Sequence, residues 1–241
     1  MKKYFVFSDA HGNYDAMIEG FKKANFDSEN KDHYLVGLGD FFDRGNQNDL
    51  VLNYLLEMDR KNKLYAIRGN HDDFLYDLLE NKSDGKFHAY YHGLDKTIEN
   101  LSGMPIYSFF ENNLEHVKKI KENYPDLISL LSKMKDHYVI GNYMLTHAGF
   151  TENKRGFWEI YNMSNTIDFI KKYPYDDYIQ IFGHWHASDL NKIYLNKKMI
   201  GEPFIYKNFI GIDACSIKTN KIFILVIELE NGHAKITDII K

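Results

Sequence analysis

Residues 39–45 read G-D-F-F-D-R-G. The stretch follows an apolar run, residues 33–38, and opens on a glycine, the pattern of a buried strand turning sharply into a loop. Asp40 and Asp43 stand three residues apart with Arg44 beside them. One such loop is ordinarily a salt-bridged turn. Four more stretches repeat its grammar, each an apolar run followed by residue types that ligate metals. They are Asp9-Ala10-His11, Gly69-Asn70-His71-Asp72, His147-Ala148-Gly149 and Gly183-His184-Trp185-His186. Strand ends in a sheet protein converge on one edge, so side chains far apart in the chain can meet at one site.

Taken singly, the loops carry little. An Asp-x-His pair or an Asn-His turn is common, and His147 alone reads as a hydrogen-bonded, half-buried histidine. His184 and His186 form the strongest single pair, because two imidazoles two residues apart can reach one ion from a loop. The ordered set of five is far more specific than any member.

At 241 residues the chain suffices for one large domain with a substantial core. Hydrophobic residues at 44% and charged residues at 27% are ordinary for a globular protein. A net charge of −4 disfavours nucleic acid and anionic lipid as partners. The single cysteine, Cys215, excludes an internal disulfide and fits a reducing compartment. The opening Met1-Lys2-Lys3 mimics a signal peptide, but the apolar run after it stops at Ser8-Asp9, so a cytoplasmic protein is expected. No stretch approaches the ~20 apolar residues of a membrane span.

The periodicity predicts strands at 4–8, 33–38 and 64–68. Amphipathic helices between them are marked by Tyr14, Met17, Ile18 and Phe21, then by Leu50, Val51, Tyr54, Leu55 and Met58, with Asn48 or Asp49 as the second cap. This alternation predicts a mostly parallel sheet. Residues 82–93 read as polar and turn-rich. A helical insertion is expected over about 74–137, broken at Pro105 and Pro125. Strands follow at 138–146 and 178–182. A closing antiparallel sheet is expected from 209–213, 222–228 and 234–239, with Asn231-Gly232 as a hairpin turn. The whole of 1–241 reads as a single domain.

With these five loops in this order, the chain resembles the calcineurin-like metallophosphoesterases. The D-R-G after the second aspartate resembles the phosphoprotein phosphatase-type branch, which includes bacterial serine/threonine phosphatases and symmetrical diadenosine tetraphosphate hydrolases. The resemblance runs from Asp9 to His186 and implies an α/β fold: a two-sheet β-sandwich flanked by helices in four layers. It implies two divalent ions. Asp9, His11 and Asp40, joined by His186, would hold the first. Asp40, Asn70, His147 and His184 would hold the second, with Asp40 bridging. Carboxylate, imidazole and amide donors suit Mn, Fe or Zn, with Mn favoured, and the lack of thiolates disfavours a structural zinc site. Two such ions can clamp a phosphoryl oxygen and activate a bridging hydroxide for in-line attack on phosphorus. The resemblance makes His71 the acid that protonates the leaving oxygen, Asp43 the group that orients it, and Arg44 the fork that binds two phosphate oxygens. Asn70 would also touch substrate.

Some positions depart from the branch. Asp72 stands where glutamate is usual. No arginine follows Trp158, and Arg155 just before it is the candidate second phosphate-binding arginine. His186 is more typical of the wider family. Outside the loops, His88, Tyr90, Tyr91 and His92 read as a solvated aromatic loop, with stacking on a nucleobase or lining of a channel as the alternative. Lys118, Lys119 and Lys121 read as an exposed helix face, Cys215 as a buried small hydrophobe, and Arg68 as a structural partner. The expectation is therefore a metal-dependent phosphatase. Its substrate would be a phosphoprotein, a dinucleoside polyphosphate or a small phosphomonoester, and no membrane partner is expected. A phosphodiesterase or nuclease of the same metallo family is the alternative. A non-catalytic metal-bearing module is disfavoured because every ligand position is filled.

Overall fold

The structure, a computed structural model, describes residues 1–149, 170 and 177–241. Two five-stranded sheets lie face to face. In spatial order the first is β10 (His233–Ile240), β9 (Ile224–Glu230), β1 (Lys2–Phe7), β2 (His33–Gly37) and β3 (Leu64–Ala66), and the second β4 (His137–Ile140), β5 (Tyr143–Thr146), β6 (Ile179–His186), β8 (Phe209–Asp213) and β7 (Phe204–Tyr206). In the first, β1 (Lys2–Phe7), β2 (His33–Gly37) and β3 (Leu64–Ala66) run parallel, linked by helices α1 (Tyr14–Lys23) and α2 (Asn48–Arg60). Alternation along β1 shows how the layers form. Tyr4 and Val6 point into the space between the sheets, whereas Phe5 and Phe7 point to the helices. On β9 (Ile224–Glu230), Leu225 and Ile227 face inward and Ile224 and Val226 face the helices.

After β3 come six helices: α3 (Asn70–Leu79), α4 (Lys86–Tyr91), α5 (Leu94–Ser102), α6 (Ile106–Glu111), α7 (Asn113–Asn123) and α8 (Leu127–Lys133). Their apolar faces, among them Leu75, Leu94, Ile98, Val117 and Leu131, share one core with α1, α2 and the outer face of the first sheet. Pro105 stands at the start of α6, and Pro125 lies between α7 and α8. The second sheet is built from β4 (His137–Ile140), β5 (Tyr143–Thr146), β6 (Ile179–His186), β7 (Phe204–Tyr206) and β8 (Phe209–Asp213), and α9 (Ala187–Leu195) packs against it. A short α10 (Ser216–Thr219) precedes the hairpin of β9 and β10 (His233–Ile240).

Several expectations need correction. The strand expected at 138–146 is a hairpin, because Gly141 takes φ +59° and reverses the chain. The strand at 209–213 does not join the closing hairpin. It runs parallel to β6 in the second sheet, while β9 pairs antiparallel with β1. The stretch at 82–93 contains a helix, α4. Asn48 does not cap α2. It is the first helical residue, and its amide is bonded to Gly45 O (2.7 Å), Asp43 N (2.9 Å) and Asn100 Oδ1 (3.1 Å).

Within the helical layer His116 is fully buried, its Nδ1 3.0 Å from Ser102 Oγ and its Nε2 2.8 Å from Ser108 Oγ. Burial holds its pKa below the usual histidine value. The unfolded chain therefore takes up this proton first as pH falls through about 6.5, and the stability from neutral His116 is lost on acidification. The urea midpoint should fall between pH 7.5 and 5.5, and His116→Gln should make that decline shallower. An unchanged slope in the variant would contradict this.

Candidate active site

The chain just past β1, β2, β3 and β5 and the last residues of β6 meet at one rim of the sandwich, through Asp9, Asp40, Asn70, His147 and His184; residues 183–186, expected as a loop, are the end of β6 itself. Backbone bonds stitch them together. Asp9 N donates to Gly39 O (3.1 Å), His11 N to Asp40 O (3.0 Å), and Gly183 N to His147 O (2.8 Å). Asn70, His71 and Asp72 form the first turn of α3 rather than a loop. Asp72 accepts from the amides of Gly69 (2.8 Å), Asp40 (2.9 Å) and Phe41 (3.1 Å), which locks the β3 end to the β2 end. Six site residues hold left-handed backbone: Asp9 (φ +51°), His11 (+44°), Asp40 (+54°), Asp43 (+74°), Arg44 (+68°) and His184 (+60°). Such conformations are unfavourable for residues with a Cβ, and they cluster where a fold is built to aim side chains.

The imidazoles are aimed by their second nitrogens. His11 Nδ1 donates to Phe42 O (2.9 Å), His147 Nδ1 to Leu38 O (2.7 Å) and His71 Nδ1 to Asp43 Oδ2 (2.7 Å). Each ring therefore presents Nε2 to the interior of the site. His11 Nε2 lies 3.7 Å and His71 Nε2 4.0 Å from Asp40 Oδ2, and His147 Nε2 lies 3.4 Å from Asp40 Oδ1. One ligand atom from each of His11, Asp40 and His71 falls within 4.8 Å of the others, and the same holds for Asp40, His147 and His184. Asp40 belongs to both groups. Arg44 bridges the first, its Nη1 3.1 Å from His11 Nε2 and its Nη2 2.9 Å from His71 Nε2.

The electrostatics are those of a cation site. Asp9, Asp40, Asp72 and Asp213 are all buried close together. Burial and the charge of Asp40 push the Asp9 carboxyl up to about 6 and Asp72 to about 8, and burial with Asp9 pushes Asp213 to about 7. Burial also opposes ionisation of Asp40, but His147 and His71 beside it hold its pKa well below the carboxylate range. Burial disfavours a charged His147, yet Asp40 overrides it and lifts the imidazole to about 10. His184 goes the other way, to about 3, through burial and the charge on His147. His147 Nε2 faces two oxygens, Asp40 Oδ1 at 3.4 Å and Asn70 Oδ1 at 3.1 Å. That environment of oxygen and nitrogen donors around buried negative charge fits a divalent cation.

The remaining predicted residues fall as follows. Asp9 lies outside both groups of three, and its carboxylate accepts from Ser8 Oγ and from His184 N (3.0 Å). His186 is half-buried, its Nε2 3.9 Å from Asp213 and its Nδ1 3.4 Å from Asp189. Arg155 lies outside the described residues. Arg68 pairs with Asp73 (3.4 Å) and Leu131 O (3.1 Å). Cys215 is half-buried rather than fully buried. His88 and His92 are not a solvated loop: both line the cavity that holds Arg44 and His71, while Tyr90 and Tyr91 are exposed. Sequence reasoning missed Thr97, whose hydroxyl binds Asp43 Oδ1 and also accepts from Asp43 N (2.9 Å). It also missed Asp213, although a carboxylate ending the apolar run 209–213 repeats the grammar of the five loops.

With the geometry in hand, comparison with known proteins gives its class. The calcineurin-like phosphoesterase family model matches residues 2–188. The chain belongs to that family of hydrolases acting on phosphoester bonds. Several solved structures share its fold. One provisionally designated a diadenosine tetraphosphatase is 16% identical with a TM-score of 0.56, over 98% of this chain and 93% of that one. A cold-active protein-tyrosine phosphatase of a psychrophilic Shewanella is 17% identical with a TM-score of 0.55, over 99% and 81%. A Saccharomyces cerevisiae serine/threonine phosphatase is 14% identical with a TM-score of 0.55, over 100% and 80%. No curated protein matches the chain in sequence.

The site depends on close backbone passage at Gly69, where a Cβ would lie 2.3 Å from both Asp40 N and Asp40 Oδ1. Gly69→Ala should cost about 1–3 kcal/mol of stability and lower the metal content of the purified protein. Urea unfolding and elemental analysis check this, and wild-type values in both would contradict it.

Proposed function

We propose that this protein is a dinuclear metal-dependent phosphatase of the phosphoprotein phosphatase type that hydrolyses phosphomonoesters or phosphoanhydrides. The observation that carries the reading is Asp40, shared by two groups of ligand-type side chains. Asp9, His11, Asp40 and His186 would hold one ion, and Asp40, Asn70, His147 and His184 the other, with Mn favoured over Fe or Zn. When bound, the ions would supply Lewis acidity toward a phosphoryl oxygen and toward an attacking water. The chain's own groups do the rest. Asp43 fixes the His71 ring so that Nε2 faces the cleft, and a proton carried there goes to the leaving oxygen. Thr97 holds Asp43 in turn. Arg44, between His11 and His71, offers a planar fork to a terminal phosphate, which favours monoesters over diesters. Arg155 is a further substrate-binding candidate. We read residues 1–241 as one domain with the helices of about 74–137 inserted between strands. No helix among the described residues is long and apolar enough to cross a membrane. The single cysteine supports a cytoplasmic setting.

With Mn²⁺ present, p-nitrophenyl phosphate should be hydrolysed faster than bis-p-nitrophenyl phosphate, and faster diester cleavage would overturn the monoester preference. His71→Asn should retain bound metal while slowing turnover ~10²–10⁴-fold, most for poor leaving groups. Loss of metal from that variant would instead make His71 a ligand, as its place beside His11 and Asp40 also permits.

A further inference from the structure

We propose that the cleft beyond His71 receives an aromatic ring bonded directly to the leaving oxygen, which makes aryl phosphate monoesters the preferred substrates. The inference rests on the phosphatase reading and names the substrate class of that same site. A cavity of about 510 Å³ opens from Arg44 and His71 toward α3 and α4. Its wall beside the proposed proton donor is made of rings. Phe74 lies 5.1 Å from His71, centre to centre, and stacks on His88 at 3.7 Å. His92 lies 6.3 Å from His71, 5.4 Å from Phe74 and 5.3 Å from His88. Phe87, 61% exposed, carries the apolar wall outward, 5.5 Å from His92. A ring attached to the leaving oxygen lands against this wall without a spacer. Planar groups pack there in offset or edge-to-face geometry.

The charges of the cleft argue against a longer anionic leaving group. Among the described lining residues Arg44 is the cation, and the phosphoryl group claims it. Asp73 and Asp77 line the far side, faced by Arg68 (3.4 Å) and Lys82 (3.9 Å). Burial keeps His88 and His92 below the usual histidine range, so their rings face the cleft neutral at pH 7. Among the described lining residues, the remaining phosphates of a dinucleoside polyphosphate would meet paired carboxylates and neutral rings. His88 Nδ1 is buried with no partner among the described residues, which leaves one polar atom to meet a ring substituent.

The experiment compares Mn²⁺-loaded protein on phenyl phosphate and on hexafluoroisopropyl phosphate, whose alcohols have similar acidity but only one of which is flat. Phenyl phosphate should have at least tenfold higher kcat/KM, expressed in KM. His88→Leu and His92→Leu should each lower the phenyl-to-alkyl ratio about fivefold. An equal ratio in wild type and both variants overturns the proposal. So does a higher kcat/KM for diadenosine tetraphosphate than for phenyl phosphate. If neither ester nor diadenosine tetraphosphate is hydrolysed, the phosphatase reading itself falls, which separates the two failures.

Discussion

A buried carboxylate has to be kept charged, and the architecture around Asp40 does so. The residue is 2% exposed, where an isolated ionised carboxylate is strongly disfavoured. It is compensated from several directions. His71 N donates to Oδ1 at 3.0 Å, His147 Nε2 lies 3.4 Å from the same oxygen, and His11 Nε2 lies 3.7 Å from Oδ2. Each partner arrives on a different strand end, so the negative charge is satisfied only when the two sheets are docked. The site and the sandwich are in this sense one structural problem.

The solution uses backbone conformations that folding alone would avoid. Left-handed φ at Asp9, His11 and Asp40 turns the chain sharply past β1 and β2, and the same conformation recurs at Asp43, Arg44 and His184. Carbonyls of Leu38 and Phe42 are thereby left to orient His147 and His11. Gly39 at φ +93° lets the β2 end pass the β3 end, since a Cβ there would sit 2.5 Å from Gly69 N. The helical layer adds a second support. Thr97 on α5 ties Asp43 and, through it, His71, so the segment that walls the cleft also positions the proposed proton donor.

Much of this was legible in the chain. Apolar runs before Asp9, Gly39, Gly69 and His147 marked where strands give way to the site, because burial on both faces leaves a continuous apolar signature; at Gly183 the strand instead continues to His186. What the runs could not disclose was their partners. A short apolar run says that 209–213 is a strand but not which sheet it joins, and that choice made β8, buried along its whole length, a neighbour of β6. The hairpin at Gly141 was readable from the pair Gly141-Asn142 between the runs 137–140 and 143–146, but was overrun by their shared apolar character. Thr97 was invisible for a different reason: it lies 54 residues from Asp43 and in sequence is one hydroxyl on a helix. His88 and His92 looked solvated because their neighbours Tyr90 and Tyr91 are. The one-turn spacing of the two histidines turns both toward the cleft.

In the proposed reaction Asp40 serves two cations at once. Anomalous diffraction from crystals grown with Mn²⁺ tests that most directly. Two peaks about 3.5–4 Å apart, with Asp40 between them and His147 and His184 at one of the pair, are the predicted result. A single peak, or peaks bound away from Asp40, would contradict it.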